Sequence, residues 1–295
     1  MKKFSLLFFL IAVFTVAYSV TFYNPMGPAL FPVAEIFNGN DDQIECNYWK
    51  TLDEAQVIML KKNADFIVLP VAYGFELINK GLDYKYLGTS LWKTFFLVSD
   101  LDIKDYNDLK DKKVITIHGP GQTADLVLKM LNIKYDLNME IGYVSSGADI
   151  ISLLATGKEH IAVLPEPYVS LSEVKTKNKY TVKLDLQEVY SQITGLDPKI
   201  PITGLFVKNG TDSDTVRKIE NMYADSANHY FYDNKDAVVS FVYGVMEGKM
   251  PEAVLKKAAA RSLIRYSTDR YAVTDYLEIL KEFGEIGNFS EDMFY

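Results

Sequence analysis

Two stretches of this chain, DFIVLPVA (residues 65–72) and HIAVLPEP (residues 160–167), each run a short apolar segment into Val-Leu-Pro, ninety-five positions apart. Three shared residues mean little alone, so the test is whether the likeness extends upstream. Sixteen residues before Pro70 and Pro165 stand Glu54 and Asp149, and three residues before those stand Thr51 and Ser146. Both copies therefore open with Ser/Thr-x-x-Asp/Glu, the pattern in which a hydroxyl and a carboxylate satisfy the first N–H groups of a helix. The segments that follow, DEAQVIMLKKNA and ADIISLLATGKE, place apolar residues at helical spacing and hand over to a β-rich run. Further upstream, VTFYNPMGPALFPVAEIF and KVITIHGPGQTADLVLKML repeat an apolar run, a Gly-Pro turn (Gly27-Pro28, Gly119-Pro120) and a helical pattern. Gly27 precedes Pro70 by 43 residues and Gly119 precedes Pro165 by 46. Each unit reads strand, turn, helix, strand, capped helix, strand. The chain is predicted to be two similar α/β lobes.

Strands and helices alternating at this length imply parallel sheets covered by helices on both faces. Ligands of such sheets bind beyond the carboxyl ends of the strands, where helix N-termini present free N–H groups. The Gly-Pro turns and the Val-Leu-Pro ends occupy that position, so two lobes facing each other would enclose a cleft. YKYLGTSLWKTFFLVSD (84–100) reads as a strand pair, which puts one crossover between the lobes at 99–104. Gly195, Pro198 and Pro201 punctuate the end of the second unit and put the return crossover at 197–203. The expected division is lobe I over 20–100 and 203–295 and lobe II over 101–202. From Asp212 onward the pattern is helical, as in PEAVLKKAAARSL, and these helices are expected to pack on lobe I. Two crossings make a hinge that permits closure around a ligand.

The 295 residues are 48% hydrophobic and 24% charged, ordinary for a globular protein. The first nineteen do not fit that globule. Lys2 and Lys3 precede the apolar run FSLLFFLIAVFTVAYSV, and Ala17 and Ser19 are small residues suited to cleavage before Val20, so this segment reads as a signal peptide. Cys46 is the sole cysteine, which excludes an intramolecular disulfide, and no cysteine follows the signal segment to carry a lipid. The mature chain is expected to be soluble, in a periplasm or secreted. Removing Lys2 and Lys3 takes the formal charge from −8 to −10, and no Lys/Arg-rich tract is present, which argues against nucleic acid as a partner.

The order NPMGPALFPVAEIF, DEAQVIMLKKNADFIVLPVAYGFELINKG, DLKDKKV, LATGKEHIAVLPEP behind a signal peptide resembles the substrate-binding proteins of ABC importers. The branch it is most similar to contains sulfonate, taurine, nitrate and thiamine-pyrimidine-precursor binders. That resemblance covers roughly 20–210 and implies a type II two-lobed periplasmic binding protein. Such a protein captures a small solute, works as a monomer without a cofactor, and delivers the solute to a permease with a cytoplasmic ATPase. Carried over position by position, it implies ligand contacts from Met26, Gly27 and Pro28 in the first turn and from Val71, Ala72 and Tyr73 after the first Val-Leu-Pro. In the second lobe it implies Gly119, Gly121, Gln122 and Thr123, with Glu166 after the second Val-Leu-Pro. Trp92, on the strand leading to the hinge, is a further aromatic candidate. Ser145 lies at a similar edge, beside the capping Ser146. The first turn offers no Ser or Thr, which argues against a small inorganic anion.

Each candidate also has a plainer reading. Glu166 can accept hydrogen bonds from a ligand, or can be a loop acid or a cap for the helix that follows. Trp92 and Tyr73 can stack on a planar ligand or fill core. Gln122 and Thr123 can donate to a ligand or cap their helix. Enzyme chemistry finds little support. His118, His160 and His229 show no metal-ligand spacing. HGPGQTAD lacks the Gly-Lys-Ser/Thr ending of a phosphate loop, and no Gly-x-Ser-x-Gly elbow occurs. Pyrimidine-precursor synthases on the same scaffold use a cysteine-rich motif that a chain with one cysteine lacks. The remaining alternative is an exported ligand-sensing protein or enzyme on this scaffold. NGT at Asn209 and NFS at Asn288 match glycosylation sequons, tripeptides that arise often by chance.

Overall fold

A computed structural model describes residues 19–39, 41–117 and 119–295. The signal segment, apart from Ser19, and His118 lie outside the described residues.

The first unit runs β1 (Val20–Pro25), α1 (Ala34–Asn38), β2 (Ile44–Trp49), α2 (Leu52–Leu60), β3 (Phe66–Pro70), α3 (Val71–Asn79) and β4 (Tyr84–Lys93). The second runs β5 (Phe95–Ser99), β6 (Lys113–Ile117), α4 (Thr123–Tyr135), β7 (Glu140–Val144), α5 (Gly147–Ala155), β8 (Ile161–Pro165), α6 (Tyr168–Lys175), β9 (Thr181–Asp185) and α7 (Leu186–Thr194). The tail adds β10 (Thr203–Lys208), α8 (Ser213–Asp225), α9 (Phe231–Asp233), α10 (Lys235–Val245), α11 (Glu252–Arg261), β11 (Leu263–Ser267) and α12 (Arg270–Glu282).

Two sheets result, one ordered β11-β4-β10-β3-β1-β2 and the other β7-β6-β8-β5-β9. Aligning β1, β2 and β3 with β6, β7 and β8 makes the repeat explicit. In both lobes the central strand that ends in Val-Leu-Pro is flanked by a parallel strand and by one antiparallel strand, β10 in lobe I and β5 in lobe II. The registers agree as well: Pro70 lies opposite Thr203, and Pro165 lies opposite Phe95. Just past each proline, the next N–H bonds across to the residue that enters the antiparallel strand: Val71 to the Ile202 carbonyl at 3.1 Å, Glu166 to the Thr94 carbonyl at 2.9 Å. Strands β3 and β8 are apolar throughout because both their faces are covered.

The hydroxyl caps form as the spacing predicts. Thr51 accepts from the Glu54 N–H at 3.2 Å, and the Glu54 carboxylate accepts from the Lys50 N–H at 2.8 Å. Ser146 accepts from the Asp149 N–H at 3.2 Å. Gly27 and Gly119 take φ of +106° and +93°, the left-handed region that favours glycine, so both Gly-Pro turns need their glycine. The helix after the first turn is short: a single 3-10 turn (Pro28–Leu30) precedes the five residues of α1. Pro32 explains it, since its missing N–H and fixed φ interrupt a continuous helix.

Two expectations are corrected. The chain passes between sheets at Thr94, between β4 and β5, rather than at 99–104. No Gly or Pro marks the step, so the apolar run through Phe95–Ser99 reads as a continuation although it already belongs to the second sheet. The tail is not all helix either: Leu263–Ser267 forms β11 on the edge of the first sheet, beside β4. Ile264 and Tyr266 are buried while Leu263 and Arg265 are exposed, a period-two signature masked by the helix-forming KKAAARS before it. The return segment between α7 and β10 spans 195–202, overlapping the expected 197–203, with Thr203 already in β10.

Candidate functional site

The carboxyl ends of the parallel strands in the two sheets face a common cleft of about 620 Å³. Lobe I supplies its wall from Pro25, Met26 and Pro28 at and just past the end of β1, Trp49 at the end of β2 and Pro70 at the end of β3. Lobe II supplies the equivalent edges: Ile117 and Gly119 at and just past the end of β6, Val144 and Ser145 at and just past the end of β7, Pro165 at the end of β8, with Gln122 and Thr123 opening α4. The floor is made by the two crossings, Thr94 with Phe95 and Ile202 with Thr203.

Of the residues expected at the site, Met26, Pro28, Gly119, Gln122, Thr123 and Ser145 meet on this cleft. Gln122 is the N-cap residue of α4 and its side chain makes no capping bond. The Ser145 hydroxyl donates to Asp149 at 3.1 Å. Gly27 and Gly121 shape the two turns without lining the cavity.

The others are placed elsewhere. Val71 and Ala72 are buried at the start of α3. Tyr73 turns to α2, where its hydroxyl donates to the Leu52 carbonyl at 3.2 Å. Trp92 is core: its indole N–H donates to the Arg265 carbonyl of β11 at 2.7 Å, and Lys199 lies over its ring at 5.6 Å. Glu166 is fully buried and its oxygens are occupied. They accept from the Ser170 N–H at 3.1 Å and hydroxyl at 2.9 Å, and from Arg261 of α11 at 3.3 Å. It is the helix-capping acid of α6, joined to a guanidinium from the tail. Burial raises its pKa, against the opposing pull of Ser170 and Arg261.

Residues that the sequence reading passed over stand in the same walls: Trp49, Thr94, Phe95, Tyr143 and Thr203. For Trp49 a signal existed. Thr51 and Ser146 are repeat equivalents, so Trp49-Lys50 corresponds to Val144-Ser145, and choosing Ser145 pointed equally to the end of β2. The Trp49 indole donates to the Val68 carbonyl at 3.0 Å, which fixes the ring at the cleft edge. Thr94 and Thr203 had no such signal, since they become neighbours of the cleft only when two sheets pair.

Asp125, fully buried in the first turn of α4, is held by the Gly121 N–H (2.7 Å), the Tyr143 hydroxyl (2.7 Å) and Lys129 (3.0 Å). Burial and this bond to Asp125 push the Tyr143 phenol up to about 12, so it stays protonated and donating. Cys46 is half-buried, and burial lifts its thiol to about 11, which leaves it unreactive. Among the described residues no cluster of His, Cys, Asp and Glu could hold a metal ion, and no helix is long and apolar enough to cross a membrane.

Two α/β lobes of one topology, joined by two crossings over a cleft, define the periplasmic binding protein fold of ABC importers. Solved structures agree. An ABC transporter protein from Parabacteroides distasonis matches with a TM-score of 0.77 at 20% identity, over 94% of this chain and 98% of that one. The zinc-bound ligand-binding component of an ABC-type import system from Staphylococcus aureus matches at 0.73 and 13%, over 94% and 96%. The periplasmic aliphatic sulphonate binding protein of Escherichia coli matches at 0.71 and 12%, over 91% and 88%. At these identities the likeness shows the fold. No family profile matches the chain, and no curated protein matches it in sequence.

Proposed function

We propose that this protein is the solute-binding component of an ABC importer, exported behind the segment 1–19, working as a monomer and presenting its closed lobes to a permease with a cytoplasmic ATPase. The observation that carries this reading is the cleft itself. It lies where the strand ends of both lobes converge, it is wide enough for a small organic molecule, and its floor is the hinge. A solute that touches both walls ties closure to binding, because only the closed arrangement gives it both sets of contacts.

Small-angle scattering combined with a thermal-shift screen of sulfonates, nitrate, pyrimidines, amino acids and polyamines tests the reading. A binder gives one solute class that raises the melting temperature and contracts the molecule, with the solute recovered intact. Chemical conversion of any of these solutes, with no contraction, would favour an enzyme on the same scaffold.

A further inference from the structure

The distribution of polarity in the cleft defines the solute more narrowly. Met26, Trp49, Leu91, Phe95, Ile117 and Ile202 make the walls apolar. The charged residues that line it, Lys50 and Asp53, are both exposed. Three of the helix N-termini around it already carry acids, Asp53 and Glu54 in α2, Asp125 in α4 and Asp149 in α5, whereas the Pro28–Leu30 turn and α3 carry none in their first turns. An incoming anion would meet those carboxylates at the positive helix ends. An incoming cation would find Asp125 already paired with Lys129. A charged head seated at the ends of α2, α4 or α5, away from the exposed Lys50 and Asp53, would lack a partner, which is unfavourable.

Two neutral groups stand out against that background. The hydroxyls of Thr94 and Thr203 are buried with no hydrogen-bond partner in the protein, and both residues line the cleft. Thr94 is fully buried and Thr203 is 7% exposed. Their backbones are held at the hinge, where Thr94 donates its N–H to Gln187 and its carbonyl accepts from Glu166, while Thr203 pairs with Pro70 and Leu91. Buried hydroxyls left unpaired are rare and call for a partner from outside the fold. A threonine hydroxyl both donates and accepts, which suits a head that does the same without charge.

We propose that the solute is an uncharged molecule with an apolar body and a single hydroxyl, carboxamide or lactam head, and that Thr94 and Thr203 bind that head at the cleft floor. This rests on the solute-binding reading above and narrows it to a chemical class.

The test uses one ring with three heads, benzamide, benzenesulfonate and benzylammonium, titrated into the full mature chain and followed by saturation-transfer NMR and calorimetry. Benzamide is expected to bind at least about tenfold more tightly than either ion. T94V and T203V, which keep the side-chain shape, are each expected to weaken benzamide about fivefold or more, with T94S restoring it. Both valine variants are expected to leave the melting temperature of the unliganded protein unchanged or raised, because each removes an unpaired buried hydroxyl. A lowered melting temperature would show a hydroxyl serving the fold and would overturn the assignment. Tighter binding of benzenesulfonate, or an unchanged benzamide affinity in both valine variants, would overturn the solute class and leave the cleft as a binding site. Absence of saturable binding by all three heads would overturn the solute class, while the binding reading itself stands or falls on the wider screen above.

Discussion

Thr51 and Ser146 hold the first turns of two helices whose N-terminal ends border the cleft, one in each lobe. Replacing either by alanine leaves an N–H unpaired and is expected to cost about 1 kcal/mol of stability. The double variant should cost the sum within a few tenths, since the two sites share no partner; urea unfolding measures both. Glu166 is the residue whose reading changed most. Glu166→Gln keeps a partner for Ser170 and loses the ionic half of the bond to Arg261, so stability is expected to fall by about 1–3 kcal/mol. Weakened solute binding at an unchanged melting temperature would instead return Glu166 to the cleft. The capping residues were legible because a cap is a local pattern spanning four positions. The fate of Glu166 was not, because its partner Arg261 lies ninety-five residues further along and nothing in either neighbourhood announces the pair.

The elements were legible where a single period governs them. Strands β3 and β8, helices α2 and α5 and the two Gly-Pro turns stand where the repeat predicts them. β11 was hidden because five alternating residues follow a strong helix former directly, and the step at Thr94 was hidden because nothing breaks the β pattern there. Close packing between elements also leaves marks. A Cβ on Gly74 of α3 would sit 2.2 Å from the Phe206 ring of β10, and one on Gly147 of α5 would sit 2.4 Å from the Tyr168 ring of α6. Both rings are large and held, so Gly74→Ala and Gly147→Ala are each expected to destabilise by about 1–3 kcal/mol, read as a drop in the urea midpoint. The contact of α11 with α6 carries a pH signature. Burial pushes the Glu173 carboxyl upward, but Arg261 at 2.9 Å and Lys257 at 2.7 Å outweigh it, so its pKa falls below the ordinary 4.5. The stabilisation is therefore complete above the unfolded value of 4.5 and is lost as pH drops through the lower folded value. The difference in melting temperature between the native protein and Glu173→Gln is expected to be constant from pH 7 to 5 and to shrink as pH falls below 4.5; a gap that stays the same on acidification would refute the pairing.

At the scale of the whole molecule, two sheets of matching strand order meet over a floor made by their own crossing segments. The tail adds ties of another kind. Its chain belongs to the first sheet through β10 and β11, yet its side chains reach the second lobe: Arg261 to Glu166 and Glu173, Lys257 to Glu173, and Glu285 to Lys129 of α4 at 3.0 Å. The Tyr190 and Tyr276 rings, from α7 and α12, meet edge to face at 6.1 Å. These pairs tie the tail to the second lobe, and ties that must break before the lobes part would set the speed of entry as well as the strength of holding. The lysine and arginine sides of the ion pairs are partly exposed, so dissolved ions weaken those pairs, while the buried tyrosine rings are insensitive to salt. Encounter with an uncharged solute has no charge to be screened, so salt would otherwise leave its association rate alone. With these ties in place, raising salt from 0.05 to 0.5 M is expected to speed association several-fold, followed by stopped-flow fluorescence of Trp49 in the cleft wall. Arg261→Met combined with Lys129→Met should be fast at both salt concentrations, and a rate insensitive to salt in the native protein would show that the lobes part without the tail letting go.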